Sequence, residues 1–202
     1  MPNIMIHEKV AYLVAQKYKD LDTGNFYLGA MAPDAINLNG FASKEERWYS
    51  HLRSKDLQEW RSNIINFYYE NLTNYPLEFI TGYLIHILTD IIFDDKFYKK
   101  LKDKIDPTED ISKYHQKLLK YMDYYFKVNE TSKEWLYIKE KLMNVKTYNI
   151  RNITPNLLLK WKAKQFTLKH DNYEENNYIN DNLIKELTKE VIIEYEEIKR
   201  KC

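Results

Sequence analysis

Cysteine is almost missing from this 202-residue chain: the single one, Cys202, is the last residue. That excludes an internal disulfide framework and a cysteine-held metal site, so any metal must be held by histidine, carboxylate or backbone groups. Glycine and proline are scarce as well, with four and five residues, too few for a turn-rich sheet architecture. Net charge is nearly nil: 31 Lys and Arg against 30 Asp and Glu leave +1, so no global field favours nucleic acid or an acidic membrane as partner. No uncharged apolar run reaches the roughly 18 residues of a membrane span, because His86 and Asp90 interrupt the best candidate. The opening Met1-Pro2-Asn3-Ile4-Met5-Ile6 lacks the basic segment, apolar stretch and small-residue cleavage site of a secretory signal, which predicts a cytoplasmic protein. Together these absences predict an all-α fold, a single-domain multi-helix bundle over residues 1–202 with one well-buried core.

What is present centres on residues 79–95, where Leu, Ile and Phe fill nearly every position that is not polar. His86 and Asp90 stand four residues apart and Asp94 four further, so a helix stacks them along one line. An imidazole and a carboxylate in so apolar a helix are costly unless paired or bound to a metal. Metal ligation and a structural His–Asp hydrogen bond are both compatible with the pair.

Around this segment, residues 4–19 form an amphipathic helix with Ile6, Val10, Leu13, Val14 and Tyr18 at helical spacing and His7 on the same inward side. Gly24, Gly29, Pro33 and Gly40 then predict a long loop over 20–43, in which the residue before Pro33 is held extended and presents Asp34 from a stiff backbone. An Asx-turn or helix N-cap is the plainer reading of Asp34. Ser43 with Glu45 and Glu46 signals a helix start, and helical spacing runs on to about residue 71 with His51 three residues after Trp48. Further helices are expected at 77 to about 101, 109–127 with His115 on the apolar side, 131–146, 154–166 and 181–200, with a polar loop over 171–180.

His7, His51, His86 and His115 thus fall on apolar or loop-adjacent faces of separate helices, whereas His170 lies in a polar stretch. With Asp34 and Asp90 they supply the nitrogen and carboxylate mixture suited to zinc or a similar divalent metal, and bundles build such sites from inward side chains on facing helices.

The order His7, Ala32-Pro33-Asp34, His51 and Gly82-Tyr83-Leu84-Ile85-His86-x-x-x-Asp90 resembles the bacterial zinc-dependent phospholipase C proteins and the related fungal single-strand-specific zinc nucleases, over residues 2–123. The resemblance implies an all-α fold and a cluster of two or three zinc ions. One metal would take Asp34, His51, His86 and Asp90. A second would take His7, the bridging Asp90, and the amine and carbonyl of Pro2 once the initiator Met1 is removed. For a third metal this family has a histidine about eight to ten residues after the one matched by His86, where this chain has Asp94, Asp95 and Lys96. It also has a carboxylate four residues after a later histidine, where His115 is followed by Leu119, with Asp123 further on. A third site from Asp94, His115 and Asp123 and a binuclear or degenerate cluster both stay open.

The implied activity is hydrolysis of phosphate esters, phosphodiester or phosphomonoester, with Asp34 as metal ligand and proton acceptor for the attacking water. A small phosphoester, a nucleotide and a phospholipid are all admissible substrates. Trp48, Tyr49 and Tyr83 would line the pocket, although each reads as readily as a core aromatic. Two alternatives compete: a non-catalytic metal-binding helical protein, and an HD-type phosphohydrolase, whose adjacent His-Asp pair occurs here only as His170-Asp171 in a polar loop.

Overall fold

The computed structural model describes residues 2–105 and 111–200, and among them the chain is all-α, without a β-strand. The helices are α1 (Ile4–Lys17), α2 (Gly24–Met31), α3 (Lys44–Ser50), α4 (Leu57–Glu70), α5 (Leu77–Ile92), α6 (Tyr98–Ile105), α7 (Ile111–Asn129), α8 (Lys133–Leu142), α9 (Pro155–Thr167) and α10 (Asp181–Lys199). None is long and apolar enough to cross a membrane.

Helix α5 is the axis. Every residue from Phe79 to Ile92 is buried, and α1, α2, α4 and α10 pack around it. The buried apolar side chains form one contiguous cluster running from Ile4 in α1 to Ile198 in α10. Helix starts carry the expected caps: Ser43 and Glu46 close a reciprocal capping box on α3, and Asn3, Thr23, Asp56, Ser132, Thr154 and Asn180 each accept from a first-turn amide.

The expected loop over 20–43 forms only at its end, over residues 38–43. Thr23 caps a buried helix, α2, and the short 3-10 turn Pro33–Asn37 follows it directly. Gly24 and Gly29 serve packing, whereas Gly40 (φ 109°) does turn the chain. A Cβ on Gly29 would lie 2.0 Å from the Phe79 carbonyl oxygen, and one on Gly82 would lie 2.0 Å from that of Phe26. The two helices therefore meet backbone to backbone, an approach open only to residues without a side chain. Ala32 is helical (φ −64°, ψ −44°), not extended as its place before proline predicts, because α2 runs into the 3-10 turn and Pro33 sits at its first position, where no amide is needed.

The central helix also differs from the expected single run to residue 101. It changes after Ile92 into a π-helical turn, Phe93–Phe97, before α6 begins. The wider winding of that turn alters the facing of every residue beyond Asp90.

Candidate metal centre

Five of the predicted side chains meet inside the bundle: His7 from α1, Asp34 from the 3-10 turn after α2, His51 at the C-terminal cap of α3, and His86 and Asp90 from α5. All are buried, and Asp34 is the most accessible at 8%. The Asp90 carboxylate is at the middle. Its Oδ1 is 3.4 Å from His7 Nε2, and its Oδ2 is 3.7 Å from both His51 Nε2 and His86 Nε2. Asp34 Oδ1 is 3.4 Å from His51 Nε2. The ligand atoms of His7, Asp34 and His86, and those of His51, His86 and Asp90, each lie within 4.8 Å of one another, so these groups could hold a metal ion.

The outer nitrogens fix the ring orientations. His86 Nδ1 is 2.5 Å from the Ala30 carbonyl, which only accepts, so that Nδ1 carries the proton, and His51 Nδ1 is held 2.9 Å from both the Arg47 carbonyl and the Ser50 hydroxyl. In neutral His86, Nε2 is then a bare lone pair aimed at a carboxylate. No hydrogen-bond partner serves either nitrogen of His7, Nε2 of His51 or His86, or either oxygen of Asp90. Buried lone pairs facing a buried carboxylate repel unless a cation stands among them, and the donor set is the nitrogen–oxygen mixture that zinc accepts. The residues present therefore fit a divalent metal.

Charge in the centre is unevenly divided. Burial, assisted by the neighbouring His7, pulls His86 down to about 3, so it stays neutral. Its ring stacks on His7 with centroids 3.6 Å apart and planes 7° from parallel, an arrangement two cations would resist. Burial also pulls on His51, but the negative charge of the adjacent Asp34 and Asp90 carboxylates outweighs it and raises that histidine. Burial pushes Asp34 and Asp90 up, yet the imidazoles 3.4 Å away, His51 for Asp34 and His7 for Asp90, hold both carboxyls below their usual range.

The remaining predicted residues lie elsewhere. Asp94 pairs with Arg53 Nη2 at 2.5 Å, turned off the His86–Asp90 line by the π-helical winding. His115 is exposed, not on the apolar side, and its Nε2 lies 2.6 Å from the Tyr98 hydroxyl. Asp123 bonds His170 Nδ1 at 2.9 Å, and that ring stacks on Phe126. Pro2 is buried, and the expectation of a free Pro2 amine as ligand turns on Met1, which lies outside the described residues. Tyr83 is a core aromatic whose hydroxyl donates to the Ser50 carbonyl, whereas Trp48 and Tyr49 line a separate surface cleft.

Glu8 escaped the sequence reading. It is fully buried beside His7 in α1, neither of its oxygens has a partner, and burial raises its carboxyl well above the ordinary value. A glutamate in an amphipathic helix ordinarily marks the solvent face, so no sequence signal separates this one from its neighbours. No protein-family model matches the chain, and comparisons with characterised proteins and with solved structures give no match either.

Proposed function

We propose that the protein is a metal-dependent hydrolase of phosphate esters, with zinc as the metal. The observation carrying this reading is the Asp90 carboxylate set among three histidine Nε2 atoms, none of them with a hydrogen-bond partner. His7, Asp34, His51, His86 and Asp90 would hold the metal, and the two oxygens of Asp90, one toward His7 and one toward His51 and His86, suit it to bridge two ions. A bound divalent ion lowers the pKa of coordinated water from about 15.7 to about 7 and clamps phosphoryl oxygens as charge builds up. Asp34 is the member of the set that solvent reaches, so it is the carboxylate placed to accept a proton from an incoming water. Ala30 and Arg47 hold the imidazoles of His86 and His51 through their carbonyls, and the apolar residues of α5 keep bulk water from the rest of the centre.

One observation favours a second reading, a structural metal centre without turnover: His7, His51, His86 and Asp90 are at most 1% exposed, and closed sites are characteristic of structural metals. The deciding experiment is metal analysis of purified protein and of Asp90→Asn, followed by assay on bis(4-nitrophenyl) phosphate and 4-nitrophenyl phosphate. Bound zinc with hydrolysis, both lost in Asp90→Asn, is the expected result. Zinc without hydrolysis selects the structural reading, and folded protein free of metal overturns both.

A further inference from the structure

A cleft of about 510 Å³ opens between α3, α4 and the turn around residue 151, and none of the five side chains of the candidate metal centre lines it. Its size is that of a small-molecule pocket. Trp48, Leu52 and Phe67 give it apolar walls, Asn63 and Asn66 give it amides, and Arg53 and Arg151 give it cations.

Two features set this cleft apart. Leu52 (φ 54°) and Arg151 (φ 56°) are the non-glycine residues with left-handed backbone among the described residues, and both line it. Neither side chain favours that conformation, so the surroundings must impose it, and such outliers gather at binding sites. For Leu52 the restraint is Asn63 Nδ2, which donates to its carbonyl at 3.2 Å. For Arg151 it is a turn closed by two hydrogen bonds, in which the backbone amides of Ile150 and Ile153 each donate to the carbonyl of the other, and anchored where Asn152 Nδ2 donates to the Glu46 carbonyl.

Arg151 itself is a cation held in place. Its Nε donates to the Tyr49 carbonyl at 3.0 Å, and its guanidinium carbon sits 3.7 Å from the Tyr49 ring centre and 5.6 Å from that of Phe67. Among the described residues no carboxylate lies within ion-pair distance of it, whereas Arg53 on the facing wall is already paired with Asp94. A planar guanidinium flattened on a ring with its outer N–H groups open suits an oxyanion taken edge-on. Glu45 and Glu70, also lining the cleft, set the limit on that ligand: a polyanion would meet both carboxylates, but a molecule with one anionic group need meet only Arg151.

We propose that this cleft binds a small molecule built of a flat ring and a single oxyanion, phosphate or carboxylate, with the oxyanion on Arg151 and the ring against Trp48, Leu52 and Phe67. This site is distinct from the metal centre and does not depend on the hydrolase reading. Calorimetric titration of the full chain with phenyl phosphate, benzoate, inorganic phosphate and phenol tests it, and the first two tell phosphate from carboxylate. At least one ring anion is expected to bind about tenfold or more tighter than inorganic phosphate or phenol, and to lose about tenfold or more in Arg151→Gln. That binding should survive in Asp90→Asn, which disables the metal centre alone. Should Arg151→Gln fail to fold, Arg151→Lys keeps the charge without the planar fork and should still bind more weakly. The proposal is overturned if neither ring anion binds at millimolar concentration, if a folded Arg151 variant binds as the parent does, or if binding vanishes in a folded Asp90→Asn protein.

Discussion

His86 donates from Nδ1 to the carbonyl of Ala30 across the interface between α5 and α2, at 2.5 Å. The bond exists because Gly29 and Gly82 let the two helix backbones touch, and it leaves Nε2 of His86 facing Asp90. Helix packing and ring orientation are therefore one event, and disturbing the first displaces the second.

Gly82→Ala should accordingly destabilise the fold by about 2 kcal/mol or more, the scale of overpacking in a close-packed core. Its new methyl would be driven against the Phe26 carbonyl and the Ala30 amide. Urea resistance and metal content should fall together in this variant, while Gly40→Ala, strained by its φ of 109° but far from the α2–α5 interface, should lower stability and leave metal content unchanged.

The metal-free protein should lose stability steeply below about pH 4.5. Between about pH 3 and pH 6.5 the unfolded chain takes up a proton at His86 that the folded one refuses, so the contribution of this group falls as the medium is acidified, by up to about 1.4 kcal/mol per pH unit, and only above about pH 4.5 does the buried Glu8 oppose it. The lowered carboxyls of Asp34 and Asp90 add loss in the same direction at the acid end. His51 acts oppositely: its raised value contributes stability below about pH 6.5 that disappears as pH climbs through its folded pKa. Urea titrations in chelator across this range check both limbs, and a profile flat from acid to alkaline pH would contradict the assignment.

Because a metal must displace the His51 proton, zinc affinity should increase with pH above neutrality and binding should release protons. Calorimetry in two buffers of different ionisation enthalpy measures that release directly.

Glu8 is buried without partners, and that burial raises its carboxyl well above the ordinary value. Above about pH 4.5 the unfolded chain ionises this group and the folded chain does not, which drains stability at up to about 1.4 kcal/mol per pH unit until the folded carboxyl titrates. Glu8→Gln removes that drain, so its stability relative to the parent should improve as pH rises from 5. An unchanged difference over that range would show that Glu8 is already ionised in the fold.

Substituting Asp94 or His115 by alanine should leave the metal content as it is, since one is engaged by Arg53 and the other by Tyr98. A drop in bound metal in either variant would place that residue within reach of the cluster after all.

The sequence alone determined the helical class and most helix positions, and it named the five residues that converge together with Asp94, His115 and Asp123, which do not. Scarce glycine and proline, apolar residues at helical spacing and capping residues such as Ser43 act through local geometry, which a sequence records. The i, i+4 relation of His86 and Asp90 is equally local. Tertiary structure decided what local rules do not reach. Gly24 and Gly29 read as loop residues until the backbone of α5 is seen pressed against Gly29, which turns residues 24–31 into a buried helix. Asp94 continues the His86–Asp90 line only if the helix stays α, and the π-helical turn with Arg53 beside it sends that carboxylate elsewhere. The burial of Glu8 and the left-handed backbone of Leu52 and Arg151 are likewise set by neighbours far away in sequence. Spacing along a chain fixes which side chains share a face, and only the packing of faces fixes what each one meets.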